Sequence, residues 1–386
     1  MKNTHIFTQR AQALLLVGIF GILPSQNLGA QQYPPYGSTN STQVNNIAPE
    51  IAFDKALLAP DGTFTEQSLP KFLAKAYSEK KLINEDFSKE ACIKAKKMGV
   101  QGSFNTVQLF LVTATCRPTQ ASMYIIKEAK NGLDETIKLK AVEKFPGMKE
   151  LLAPGVPPKG LPSVALPLAY FSYPAGYGLH YIAAMPAAKG KVLCEIVSQF
   201  RDNQSPQNAE RIKRAYKILG NELANFHKRF MKPVPGAKIG KTIAHGDFHC
   251  FNIFYDEIAG HFTFIDNETM EASLKNPLSP ADDILKLFFG LFSTSESDER
   301  KDIIKNIDLK KWHELAFKNF IEGYLDAYAP AEQKQVLQDL KIIFNSDAVS
   351  KQYTASWLKI DASQLRELRM KYINPVFNEI QNQRIK

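Results

Sequence analysis

Two adjoining stretches, IAHGDFHCFNIFYD (243–256) and HFTFIDNE (261–268), decide how this chain is read. Asn252–Tyr255 and Phe262–Ile265 are short apolar runs of strand type, joined by Asp256-Glu257-Ile258-Ala259-Gly260 with a glycine in the turn. That is a hairpin signature. A polar loop carrying Asp247 precedes the first strand, and Asp266 ends the second. The hairpin therefore predicts Asp247, Asn252 and Asp266 at one end, facing a cleft.

Two carboxylates and an amide suit one class of chemistry. Magnesium takes hard oxygen ligands and is usually held by one or two carboxylates together with phosphate. Transfer of a phosphoryl group to a hydroxyl needs such ligands, plus a carboxylate to orient the hydroxyl and accept its proton. Asp247 lies five residues before Asn252, the H-x-D-x-x-x-x-N spacing of kinase catalytic loops. Asp247 is the candidate catalytic base; Asn252 and Asp266 are the candidate magnesium ligands.

Companions occur upstream in the matching order. NTVQLFLVTAT (105–115) and SMYIIK (122–127) read as strands, and Asp134–Phe145 reads as a helix stopped by Pro146-Gly147. Lys127, at the end of its strand, is placed like the lysine that grips nucleotide phosphates. Glu143, sixteen residues on, is its expected partner, with Glu135 as the rival on a similar helix face. Gly102 and Asn105 lie in a glycine-containing stretch before the first strand, where backbone N–H groups can approach phosphates. Val164–Tyr173 and Leu179–Met185 read as two more strands. Before all of these, residues 49–94 read as a largely helical extension, with FSKEACIKAKKM (87–98) at helical spacing.

Beyond residue 189 the pattern is helical. Ser205-Pro206 has the form of an N-cap and first turn. Ile212, Ala215, Leu219, Leu223, Phe226 and Phe230 then mark one buried face. Further helical patterns cover 281–294, 309–328, 331–345 and 362–384. The whole is an α+β chain, with a small β-rich N-lobe over 95–188 and a mainly helical C-lobe over 189–386.

The HGD of residues 245–247, Asn252 and the IDNE of 265–268 resemble the aminoglycoside phosphotransferase and choline kinase family. The LGNELANFH of 219–227 is similar to the family's helix before the catalytic loop, and Asp283 to its aspartate after the metal motif. The resemblance covers roughly 95–295, and Asn267 stands where the family often has a hydrophobic residue. It implies a bilobal protein-kinase-like fold, ATP or GTP as donor with magnesium, and a small-molecule hydroxyl as acceptor.

The remaining features bound the setting. The net charge is +9, but no block of consecutive basic residues supports nucleic-acid binding. Residues 1–30 carry Lys2, Arg10 and the apolar run Ala11–Leu23, the form of a signal peptide rather than a membrane span. A flexible linker over 31–48 follows. Cleavage implies an exported protein, periplasmic or secreted, with no membrane span; retention implies an anchor. An exported protein leaves two alternatives: a pseudokinase-like binding module, or a protein-directed kinase acting in another cell. The spacing of Cys92, Cys116, Cys194 and Cys250 shows no disulfide framework, so they read as mostly free. His245, His249, Cys250 and His261 offer a weaker zinc reading. Trp312, Tyr324, Tyr328 and Trp357 read as core before they read as a cation-binding pocket. Glu268, Glu271, Asp282 and Asp283 would favour a cationic acceptor.

Overall fold

The structure is a computed structural model. It describes residues 51–79, 87, 89–98, 106–115, 122–153, 155–176, 178–289, 307–346, 363, 366–367 and 369–384. The expected signal peptide and linker, Gly102, Asn105, Cys116 and Trp357 lie outside the described residues. In chain order the elements are α1 (Ser68–Glu79), β1 (Ile93–Met98), β2 (Thr106–Ala114), β3 (Ser122–Ala129), α2 (Gly132–Glu143), β4 (Ser163–Val164), β5 (Ala169–Ala175), β6 (Gly178–Pro186) and β7 (Lys191–Val192). There follow α3 (Leu193–Asp202), α4 (Pro206–Arg229), β8 (Ile253–Asp256), β9 (His261–Phe264), α5 (Met270–Lys275), α6 (Ala281–Phe289), α7 (Leu309–Trp312), α8 (Lys318–Asp326), α9 (Pro330–Asn345) and α10 (Asn374–Arg384). The class is α+β, as the sequence predicts. The described residues divide into two compact units, those up to Leu139 with Leu166–Ala187, and Lys140–Ala165 with those from Ala188 onward.

The first unit is built on an antiparallel sheet in the order β1-β2-β3-β6-β5. Alternation along β3 sorts its side chains. Tyr124 and Ile126 face a core shared with Phe110, Val112, Phe171, Tyr173 and, from α1, Phe72 and Leu73. Lys127 takes the opposite face. The core is rich in rings, with Phe64 and Tyr173 centroids 4.4 Å apart. Glu128 is buried on the core face and fully engaged: Gln108 Nε2 and Tyr173 OH each donate to it at 3.0 Å, and His180 Nδ1 lies 2.5 Å away.

Residues 93–98 correct the helical reading of 87–98. They form edge strand β1, in register from Ile93 opposite Ala114 to Met98 opposite Leu109. Pairing with β2 overrides a spacing that also fits a helix. Lys94, Lys96 and Lys97 are exposed on this edge, and charged side chains there discourage further strand addition. Lys97 N–H is occupied by Glu66 Oε1 at 2.7 Å. The cysteine expectation is corrected too. Cys92 is disulfide-bonded, whereas Cys194 and Cys250 are free and buried. Strand pairing brings Cys92 O within 2.9 Å of Thr115 N, a neighbourhood that cysteine spacing does not reveal.

The second unit holds a four-stranded sheet, β4-β9-β8-β7, among helices. Val164, read as the start of one long strand, belongs to this sheet instead, pairing in parallel with Phe264. The next strand of the chain, β5, begins only at Ala169 in the other sheet. Helix α4 starts as expected: Ser205 Oγ accepts from Asn208 N at 3.3 Å, and Pro206 occupies the first turn. The six apolar residues of its predicted face are all buried. Trp312, Tyr324 and Tyr328 are buried as well. They pack in the core, with Trp312 edge-on to Tyr216. The long helical pattern over 309–328 is interrupted by a π turn, His313–Phe317. Among the described residues no helix is long and apolar enough to cross a membrane.

Candidate active site

In the first unit Lys127 lies inside β3, opposite Leu109 and Ala183, with the strand running on to Ala129. Its Nζ is 3.0 Å from Glu135 Oε1, and both side chains are buried. Glu135, the rival in the sequence reading, therefore holds the place expected for Glu143. The cause is geometric. Helix α2 begins at Gly132, where an added Cβ would fall 2.5 Å from Tyr181 Cβ. That close approach seats the helix start against β6, beside β3, and puts Glu135 in its first turn within reach of Lys127. Glu143 is two turns further along. Burial pushes its carboxyl up, against the pull of Lys140, Lys144 and Lys149.

In the second unit the loop before β8 hangs from one buried carboxylate. Asp283, in the first turn of α6, is inaccessible to solvent. Its Oδ2 accepts from His245 N at 2.9 Å and from His227 Nε2 at 3.1 Å, and its Oδ1 accepts from Gly246 N at 3.1 Å. Burial pushes this carboxyl up; the His227 hydrogen bond and the imidazoles of His227 and His245 outweigh it, and the net shift is downward. An anion at a helix N-terminus gains further from the helix dipole. The aspartate expected to favour a cationic acceptor is thus spent on the loop.

His245 ties the loop together. Its Nε2 donates to Ile265 O at 2.8 Å and its Nδ1 accepts from Asp247 N at 3.3 Å. Burial drives its basicity down against the charges of Asp283 and Asp247. Both nitrogens are committed, which leaves no lone pair for zinc. Gly246 has φ +81°, and an added Cβ would meet Thr269 O at 3.0 Å. Thr269 Oγ1 donates to His245 O at 2.5 Å, and Lys286 Nζ donates to Gly246 O.

Asp247 and Asn252 are joined directly. Asn252 Nδ2 donates to Asp247 O at 3.0 Å and to Asp247 Oδ2 at 3.3 Å. That orientation turns the amide oxygen Oδ1 away from Asp247, leaving the atom a hard cation prefers. Burial raises the Asp247 carboxyl, but the hydrogen bond and charge of His249, with the charges of His245 and Lys286, bring it down to about 2. Asp266 follows Ile265, whose N–H donates to Asn252 O at 3.0 Å and whose carbonyl takes His245. Asp266 is the one non-glycine residue with positive φ among those described, at φ 60° and ψ 49°. Left-handed backbone at a non-glycine residue costs of order 1–3 kcal/mol and clusters at functional sites. The next residue, Asn267, is buried and donates to Ala165 O at 2.8 Å and Phe264 O at 3.1 Å. Its polarity thereby has a structural cause, tying the ends of β4 and β9.

Sequence reasoning passed over Lys286 and gave His249 only a zinc role. Lys286 was within reach: it lies three residues after Asp283 on α6, hence on the same helix face. His249 carried a signal in its position two residues after Asp247. His261, the other histidine in the zinc reading, is a structural tie. Its Nδ1 lies 3.0 Å from Glu222 Oε1 and its Nε2 lies 2.8 Å from Ser163 Oγ. Among the described residues no three His, Cys, Asp or Glu side chains cluster as a metal site.

No family model and no curated protein matches the sequence. Among solved structures the chain is similar to one described as WaaP in complex with acyl carrier protein, at 13% identity over 73% of this chain and 92% of that one, with a TM-score of 0.34. That likeness is too slight to argue from.

Proposed function

We propose that the protein is a nucleotide-dependent phosphotransferase of the protein-kinase-like fold, transferring a phosphoryl group from ATP or GTP to a hydroxyl of a small molecule. The observation that carries this reading is the direct coupling of Asn252 Nδ2 to Asp247 in a loop suspended from Asp283. One residue thereby presents a carboxylate to a hydroxyl while its partner presents an amide oxygen to a cation. Asp266, with Asn252, would hold magnesium, which when bound neutralises charge on the phosphates. Lys127, oriented by Glu135, would grip the nucleotide phosphates.

A carboxyl held at about 2 is a weak proton acceptor at neutral pH. In this reading Asp247 chiefly orients the hydroxyl and takes its proton late. A loose transition state asks little of a base and much of positioning. The disulfide at Cys92 supports an exported protein, because such bonds persist in oxidising compartments. The test is a screen of small hydroxyl compounds with labelled ATP and GTP, with and without magnesium. Alongside it, thermal stabilisation should need nucleotide and magnesium together. Absence of both label transfer and stabilisation removes the proposal.

A further inference from the structure

His249 stands between the two residues on which that reading rests. Its Nε2 lies 3.3 Å from Asp247 Oδ2 and 3.4 Å from Asn252 Nδ2. Both hydrogens of the Asn252 amide already have acceptors, Asp247 O and Oδ2. With both hydrogens so placed, the hydrogen is assigned to Nε2, directed at the carboxylate; the reverse arrangement would set two lone pairs against each other. Among the described residues the opposite ring nitrogen, Nδ1, is buried with no hydrogen-bond partner. Leaving such a group unpaired costs about 1–3 kcal/mol. The edge of the ring packs against Phe251, with centroids 5.9 Å apart, a contact an apolar residue would make at no such cost. What the histidine supplies and an apolar residue would not is Nε2.

We propose that His249 is a positioning residue of the reaction: its Nε2–H holds the Asp247 carboxylate in the orientation that receives the acceptor hydroxyl. Asp247 then has one oxygen fixed by His249 and Asn252, and its other oxygen carries the hydroxyl. The inference rests on the phosphotransferase reading for the step it serves, but not for the contact itself.

The experiment has two arms on the full chain. In the first, ¹⁵N-histidine-labelled protein is examined by NMR in mildly alkaline buffer. His249 should show a protonated Nε2 and a bare Nδ1, and that signature should be lost in Asp247→Ala. A bare Nε2 overturns the proposal. In the second arm, magnesium-ATP turnover is compared for three variants. His249→Gln keeps an N–H near the Nε2 position, whereas His249→Asn and His249→Ala do not. The expected result is kcat within about fivefold of wild type for Gln and lower by about 10–100-fold for Asn and Ala, the range in which positioning losses fall, with KM for ATP unchanged. Equal losses in Gln and Asn, or no loss in Ala, overturn it. A wild-type chain without turnover defeats the phosphotransferase reading alone, and the NMR arm then decides whether His249 orients Asp247.

Discussion

Two regions of this molecule hold a charged residue in place by opposite means. In the first unit, Lys127 meets Glu135 side chain to side chain, each mounted on a regular element: a strand packed in a five-stranded sheet and the first turn of a helix. In the second unit, Asp247 sits on an irregular loop, and the buried Asp283 carboxylate holds the preceding backbone through the N–H groups of His245 and Gly246. Regular elements bring their own rigidity, so one ion pair suffices. A loop has none, and a buried anion must replace the hydrogen bonds that a helix or sheet would supply. The first arrangement is exchangeable in chemistry; the second is not, because main-chain donors cannot be mutated away.

That contrast can be broken at several points. Asp247→Ala should lower phosphoryl transfer by about 10²–10⁴-fold, the range of a positioned acid–base group, while lowering stability by less than Asp283→Ala does. A large loss of stability would mean that Asp247 belongs to the scaffold. Asp283→Ala should do the reverse of a site mutation and lower folding stability by about 3–5 kcal/mol, as removal of one partner from a buried charged network does. Urea unfolding measures it. Asp283 and Asp247 both titrate below the ordinary carboxyl value of 3.8 in the folded chain, Asp247 at about 2. The stability they contribute is fully present above the unfolded carboxyl range. It is lost as pH falls through their folded values. Asp283→Asn should flatten that acid limb, and an unchanged limb would remove Asp283 from its place beneath the loop.

Glu135→Gln should cost about 1–3 kcal/mol, the penalty for weakening a buried charged hydrogen bond, and should weaken nucleotide-dependent stabilisation. The double change Lys127→Met with Glu135→Leu should restore stability to within about 1 kcal/mol, since buried pairs are often replaceable by apolar residues, yet leave nucleotide binding lost. Failure of stability to recover would deny the exchangeability drawn above. The smallest effect is expected at Glu143. Its change to Gln should move stability by no more than about 0.5 kcal/mol and leave nucleotide affinity untouched; a loss matching Glu135→Gln would return the tether to Glu143.

What could be read in the chain was local. The spacing of His245, Asp247 and Asn252, the hairpin turn at Gly260, the cap at Ser205 and the buried stripe of α4 each involve residues close enough in sequence for period and turn chemistry to report them. Glu135 and Glu143 show where that stops. They lie eight residues apart on one helix, nearly on the same face, and periodicity cannot rank them. The close approach at Gly132 does. Residues 93–98 fit a helix by spacing and became a strand because β2 offered unpaired backbone. Val164 fits a strand by composition, but its sheet is settled by pairing with Phe264, a hundred residues on.

The sequence by itself determined an α+β chain, its catalytic-type loop and the residue types able to orient a hydroxyl and bind a hard cation, because these follow from short-range pattern and side-chain chemistry. Only the tertiary structure decided that Glu135 holds Lys127, that Asp283 suspends the loop, that Asp266 adopts a left-handed backbone and that His249 lies against Asp247. Those outcomes depend on which distant surfaces bury one another, and burial is a property of the packed chain.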